Sequence, residues 1–136
     1  MAAAADGIAK TADVSIKRLR QLVADMRGQH LLVLGDIVAD ELLLGQPAAV
    51  AREAPILVLA EIERSIQPGG ATNVAANAAA LGAAVGVCGV IGADAMGEGL
   101  RQRLSAAGID VAGLVVDAAR PTTTKTRIWA GGVQQQ

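Results

Sequence analysis

Hydrophobic and polar positions alternate with two different periods along this chain, and the switches between them predict the elements. From Asp13, the apolar residues Ile16, Leu19, Leu22, Val23 and Met26 recur at helical spacing, and Gly28 follows as a stop. His30 opens HLLVLGD, a short continuous apolar run that predicts a buried parallel strand. PILVLAEI (Pro55 to Ile62) predicts a second strand, a helix begins near Ala71, and AVGVCGVIG (Ala84 to Gly92) predicts a third strand. Met96 to Ala107 predicts a helix with Leu100 and Leu104 turned inward and Gly108 as its stop, and Val111–Val116 and Thr122–Ala130 predict two further strands. Strands alternating with helices imply an α/β fold with a mostly parallel sheet flanked by helices. Pro55–Ile62 and Thr122–Ala130 each lack a neighbouring helix on at least one side, which suits a separate small antiparallel sheet. Residues 1 to about 12 suit a loose leader, so the chain divides into 1–28, leader and helix, and 29–136, the body of one domain. It ends in GGVQQQ, and the strand leading into that turn signal has no evident return partner, as expected of a domain cut short at Gln136.

Composition narrows the partners. Hydrophobic residues make up 52% of the 136, but there is no Phe or Tyr and one Trp, which leaves aromatic stacking on bases or sugar faces almost unavailable. A net charge of -1 without a Lys/Arg block argues against nucleic acid or an anionic membrane as the main partner. No apolar stretch approaches a membrane span of roughly twenty residues, and the Ala-rich start is too short for a secretion signal, which together predict a cytoplasmic protein. Cys88 has no internal partner and sits in an apolar run, as a small core residue would. His30, the single histidine, has no nearby ligand cluster and suits a strand edge better than a metal site.

Four stretches carry candidate chemistry. PGGATNVAANAAALG (Pro68 to Gly82) places two glycines before an Ala-rich helix with Asn73 and Asn77 on one face. Gly69 and Gly70 allow a ligand close to the backbone, and the free N–H groups of the first turn favour polar or anionic groups; a plain turn with Asn73 as cap accounts for the same letters. In GDIVADELLLG, Asp36 and Asp40 follow a strand at its C-terminal end, where α/β sheets bind ligands. A carboxylate there can take hydroxyl hydrogen bonds, or Asp36 shapes a turn and Asp40 is solvated. In PTTTKTRIW, alternation puts Thr122, Thr124 and Thr126 on one face and Thr123, Lys125 and Arg127 on the other, two cations suited to a phosphate or to solvent at a sheet edge. Asp94 in GADAMGEG is placed to cap the helix near Met96.

GGATNVAANAAALG, followed by GVIGADAMGEGLRQRLSAAGID, resembles the first signature region of the ribokinase-like (PfkB) carbohydrate kinases. Within that family the chain is similar to the heptose 7-phosphate kinases, often the N-terminal half of a bifunctional kinase and adenylyltransferase. GDIVAD with Gly45 downstream, REAPILVL from Arg52, the Gly-Gly-Asn block, and PTTTKTRI followed by Gln134 and Gln135 carry that likeness. Ala49 and Ala51 depart from it, standing where Arg and Ser would be expected.

The resemblance implies a ribokinase-like fold, here the N-terminal part of its sheet plus strands of a small β lid. It implies that Asp40 binds substrate hydroxyls, that Gly69 and Gly70 approach the sugar and that Asn73 bonds it. Asp36 and Asn77 are further candidate contacts, and Lys125 and Arg127 candidate phosphate ligands. ATP and Mg²⁺ are implied for the parent enzyme, with phosphoryl transfer to the anomeric hydroxyl of a heptose 7-phosphate on the way to ADP-heptose for lipopolysaccharide, and pairing of two chains through the lid. The family's GxGD segment, with the catalytic base, is not in this sequence and is expected beyond Gln136. No catalytic or metal-binding residue is therefore expected here, and the chain alone is expected to be inactive. Two other readings stay open: a PfkB-type kinase for ribose, fructose or a nucleoside, and a non-catalytic sugar-binding or dimerisation module.

Overall fold

The computed structural model describes residues 15–134. The expected leader, the start of the first helix at Asp13, and the two final glutamines, Gln135 and Gln136, lie outside the described residues, and with Gln136 the expected point of truncation. Helix α1 (Ile16–Asp25) is capped by Ser15, whose hydroxyl accepts from the Arg18 N–H, and the chain leaves it through Gly28 at φ 75°. Strands β1 (His30–Leu34), β4 (Ala84–Gly92) and β5 (Asp110–Asp117) form a parallel sheet in the order β1-β4-β5. The connections run through α2 (Ala71–Ala80) and α3 (Ala95–Ala106). Alternate β4 residues Val85, Val87 and Ile91 meet Ala75, Ala78, Leu100 and Leu104 in the core. Leu100 and Leu104 are fully buried as expected, each contributing about 1.5–3 kcal/mol.

The other face of this sheet is open among the described residues. Leu32 and Leu34 are exposed, so β1 is not the strand covered on both faces that its apolar run predicts. Cys88, register partner of Leu34, lies on the same face and is half-buried rather than in the core, because even-numbered β4 positions point away from the helices. His30 is exposed at the start of β1, an edge strand.

The second sheet departs most from expectation. Ile37–Val50 is one long strand, β2, and β3 (Leu57–Gly70) runs antiparallel to it almost from end to end. Strand β6 (Thr124–Ala130) pairs parallel to β2 on its other side, giving the order β3-β2-β6-β7. The expected pairing of the Pro55 and Thr122 strands is therefore replaced by a mixed sheet in which β2 separates them. Strand β6 also has a return partner before Gln136, contrary to expectation. Gly131 and Gly132 take φ 59° and 81°, making a two-residue hairpin turn, and β7 (Val133–Gln134) comes back antiparallel.

Candidate sugar site

Asp40 is within β2, not in a loop after β1. Ile37, Ala39 and Glu41 point to the core, so Val38, Asp40, Leu42 and Leu44 take the opposite face. Asp40 pairs in register with Gln67 of β3 on one side and Lys125 of β6 on the other. The expected alternation of β6 holds: Lys125 and Arg127 share Asp40's face, while Thr126 lies on Glu41's. Arg127 Nη2 lies 3.0 Å from Asp40 Oδ2, an ion pair. The two residues assigned separate roles from sequence thus form one unit, and Lys125 is exposed beside it.

Asp40, Gln67, Arg127 and Gln134 supply the polar lining of a pocket of about 310 Å³ whose other lining residues are Leu42, Leu44 and Trp129. Gly69 belongs with this group: a Cβ there would come 3.3 Å from Asp40 Cβ and 3.1 Å from the Val38 carbonyl oxygen. A Cβ there would be tight against β2, so glycine suits the close approach of β3 to Asp40. Gln67, Trp129 and Gln134 were not singled out from sequence as pocket residues; their signal is register with Asp40, Leu44 and Trp129, which becomes visible only once β2 is known to be a strand.

Asp36 belongs to a second cluster. It sits at the bend between β1 and β2, where its carbonyl accepts from the Ala71 N–H at 2.9 Å. Gly70 caps α2 with φ 55°, and a Cβ there would meet that same carbonyl oxygen at 2.5 Å. Thr72 donates to the Gly69 carbonyl at 2.7 Å from a fully buried position, locking the turn. Asn73 therefore does not cap the helix. Asn73 and Asn77 lie on one exposed face of α2 as predicted, with the Asn77 amide donating to the Asn73 backbone and side-chain oxygens at 2.8 and 3.2 Å. They are not among the walls of the Asp40 pocket. Asp36 lines a smaller hollow with Gly35, Gly89, Arg120 and Thr123, and Arg120 donates to Thr123.

Behind the pocket, Glu41 is 5% exposed, a buried charge that sequence alone did not flag. Thr126 Oγ1 donates to it at 2.6 Å and Arg64 Nη1 at 3.1 Å, so three strands are tied together through one carboxylate. Arg64 also binds Glu61 and holds its carboxyl below the ordinary value through charge-assisted hydrogen bonds. Asp94 caps α3 as predicted, accepting from the Gly97 N–H at 2.8 Å. It also accepts from the Thr122 N–H and hydroxyl, both at 2.7 Å. These bonds, that from Gly97 foremost, lower its pKa. Thr122 in turn accepts from Gly92, fastening the entry of β6 to the end of β4.

A parallel sheet with helices on one face, joined to a second, four-stranded mixed sheet that carries a pocket of mixed polar and apolar lining, is the arrangement of a sugar-kinase type of fold. Residues 30–136 match the pfkB family of carbohydrate kinases, and the chain belongs to that family. It is 43% identical over 114 residues to the Bifunctional protein HldE of Azorhizobium caulinodans, covering 83% of this chain and 24% of that protein. It is 45% identical to the protein of the same name from Helicobacter pylori, covering 78% and 23%. Among solved structures it is similar to the fructokinase with bound ATP from Xylella fastidiosa, with TM-score 0.53 and 27% identity over 74% of this chain and 30% of that one. The chain spans about a quarter of the length of the curated relatives it matches.

Proposed function

We propose that this chain is the sugar-binding part of an ATP-dependent kinase whose acceptor is a heptose 7-phosphate, its residues binding the acceptor and not supplying the catalytic base. The observation that carries the reading is the Asp40–Arg127 pair on the pocket face of the lid, with Lys125 in register beside it. A carboxylate there accepts hydroxyl hydrogen bonds, and the two cations can take a phosphate, Arg127 through its fork and Lys125 as a point charge. Gly69 opens the backbone to the sugar, and Gly70 and Asn73 at the start of α2 offer further polar contacts, with Asp36 and Asn77 more peripheral. The likeness to the two HldE proteins and the TTTKTR segment support heptose over ribose, fructose or a nucleoside.

ATP would supply the transferred phosphoryl group, and Mg²⁺, where bound, would offset the negative charge that develops during transfer. Among the described residues there is no group of three His, Cys, Asp or Glu side chains that could hold a metal ion. The role of these residues is acceptor binding. They position the acceptor, fixing its hydroxyls and phosphate so that one oxygen is held in line for transfer.

The second sheet favours a homodimer as the working assembly, since Val50, Leu57, Val58 and Ile62 on the far half of β2 and β3, with Ile56 in the loop between them, leave apolar surface exposed. No helix among the described residues is long and apolar enough to cross a membrane, and we place the protein in the cytoplasm, where ATP and sugar phosphates occur together. The test is ADP release by the intact protein with ATP, Mg²⁺ and a panel of sugars and sugar phosphates. Heptose 7-phosphate should be turned over fastest. Preference for an unphosphorylated sugar would move the protein elsewhere in the family, and no sugar-dependent ADP release would leave the non-catalytic module.

A further inference from the structure

Trp129 is the only aromatic residue in the chain, and composition suggests that stacking on a sugar is almost unavailable. That single residue lies where a ligand could reach it. Trp129 pairs in register with Leu44 of β2 and with Gln134 of β7, and it lines the same pocket as Asp40, Gln67 and Arg127. The pocket is therefore two-sided in chemistry, with a polar rim formed by Asp40, Gln67, Arg127 and Gln134. Its apolar wall is formed by Leu42, Leu44 and Trp129. A sugar has the same division: hydroxyls project around its edge, while its C–H groups present apolar patches on its faces. An inorganic anion would use the rim and leave the wall idle.

We infer that Trp129 is the platform on which the apolar face of the sugar rests, and hence a specificity-determining residue of this pocket. This rests on the sugar-kinase reading above. The indole offers a large rigid surface at low entropic cost, and its N–H adds one donor beside the rim. The β6–β7 hairpin fixes its place, because the Gly131–Gly132 turn returns Gln134 directly opposite Trp129. Leu44 supports it from the neighbouring strand. Discrimination follows from the combination: Asp40 and Gln67 read hydroxyls, Arg127 reads negative charge, and Trp129 rejects ligands that lack an apolar face.

The experiment uses the intact protein that carries this segment, in wild-type, Trp129→Phe and Trp129→Leu forms. The first readout is the difference in tryptophan emission between wild type and Trp129→Phe, which isolates this indole. It is followed during titration with heptose 7-phosphate, with unphosphorylated heptose and with inorganic phosphate. Both sugars should produce a saturable Trp129-dependent change, and inorganic phosphate should produce none. The second readout is steady-state kinetics. Trp129→Leu should raise KM for the sugar about tenfold with kcat nearly unchanged, the signature of lost ground-state binding, while Trp129→Phe should keep KM within about threefold of wild type. Thermal denaturation accompanies each variant, and the Phe form decides if the Leu form is unstable. If the wild type phosphorylates the sugar but its Trp129 emission is silent, or Trp129→Leu keeps the wild-type KM, the platform is overturned while the kinase reading stands. If the wild type phosphorylates no sugar, the kinase reading fails. The emission titration then decides the platform alone, a saturable change with sugar supporting it and silence overturning it.

Discussion

Replacing Asp40 by alanine separates what this carboxylate does for the ligand from what it does for the fold. In the free protein its partner Arg127 keeps 42% of its side chain exposed, while Asp40 keeps 18%. A pair this open to water contributes about 0.2–1 kcal/mol, so the variant should unfold only slightly earlier than wild type. On the proposed reading, the same carboxylate accepts hydrogen bonds from sugar hydroxyls with water excluded. Each charge-assisted hydrogen bond there contributes about 1.5–3 kcal/mol, a loss of roughly ten- to a hundredfold in affinity. The ion pair adds a second consequence. Without Asp40, Arg127 is released to meet the sugar's phosphate more fully, which partly offsets the loss. Asp40→Ala should therefore weaken unphosphorylated heptose more than heptose 7-phosphate. Calorimetric titration of the intact protein with both ligands, alongside thermal denaturation, measures all three quantities. The reasoning is refuted if both affinities change less than about threefold, or if Asp36→Ala reproduces the effect and Asp40→Ala does not.

Other outcomes follow from the same contacts. Lys125→Ala and Arg127→Ala should each weaken the phosphorylated sugar, while the unphosphorylated one, which in Arg127→Ala meets an Asp40 released from its ion pair, should bind no worse; equal losses for both ligands from Lys125→Ala would remove Lys125 from phosphate recognition. Thr122→Val leaves the Gly92 N–H without its acceptor in a buried place and should cost about 1–3 kcal/mol in denaturant unfolding, with KM for sugar little changed. Because the folded-state pKa of Asp94 is lowered, its contribution to stability is complete above the ordinary aspartate value of 3.8 and is lost as pH falls through the lower folded value. Asp94→Asn should flatten that acid limb, and an unchanged limb would show that the carboxylate is not the group responsible. Gly70→Ala should destabilise the intact protein or abolish sugar binding, since its φ is positive and the new Cβ would press on the Asp36 carbonyl oxygen at 2.5 Å.

The parallel layer was legible because it obeys simple periodicity. The continuous run Ala84–Gly92 is β4 as expected, and Leu100 and Leu104 recur at the spacing that α3 buries. The lid was less legible for a local reason. In Ile37–Val50 the inward positions are Ile37, Ala39 and Glu41, and a glutamate on the core face disguises the two-residue period. Its charge is met by Arg64, 23 positions away, and Thr126, 85 positions away, partners that no local window contains. Asp40 was identified through resemblance and Arg127 through alternation. Their ion pair needed the β2–β6 register, and so did the position of Trp129. The Gly131–Gly132 turn was visible as a turn, but the brief return strand after it was too short to carry a period.

The central claim, that this pocket receives a sugar phosphate for phosphoryl transfer, is tested most directly by phosphorus NMR of the intact protein with ATP, Mg²⁺ and heptose 7-phosphate. The account predicts a second sugar-bound phosphate resonance growing in step with ADP, lost in parallel with sugar affinity in Asp40→Ala. ADP formed without any new sugar phosphate, or the same product at the same rate from Asp40→Ala at low sugar concentration, would contradict it.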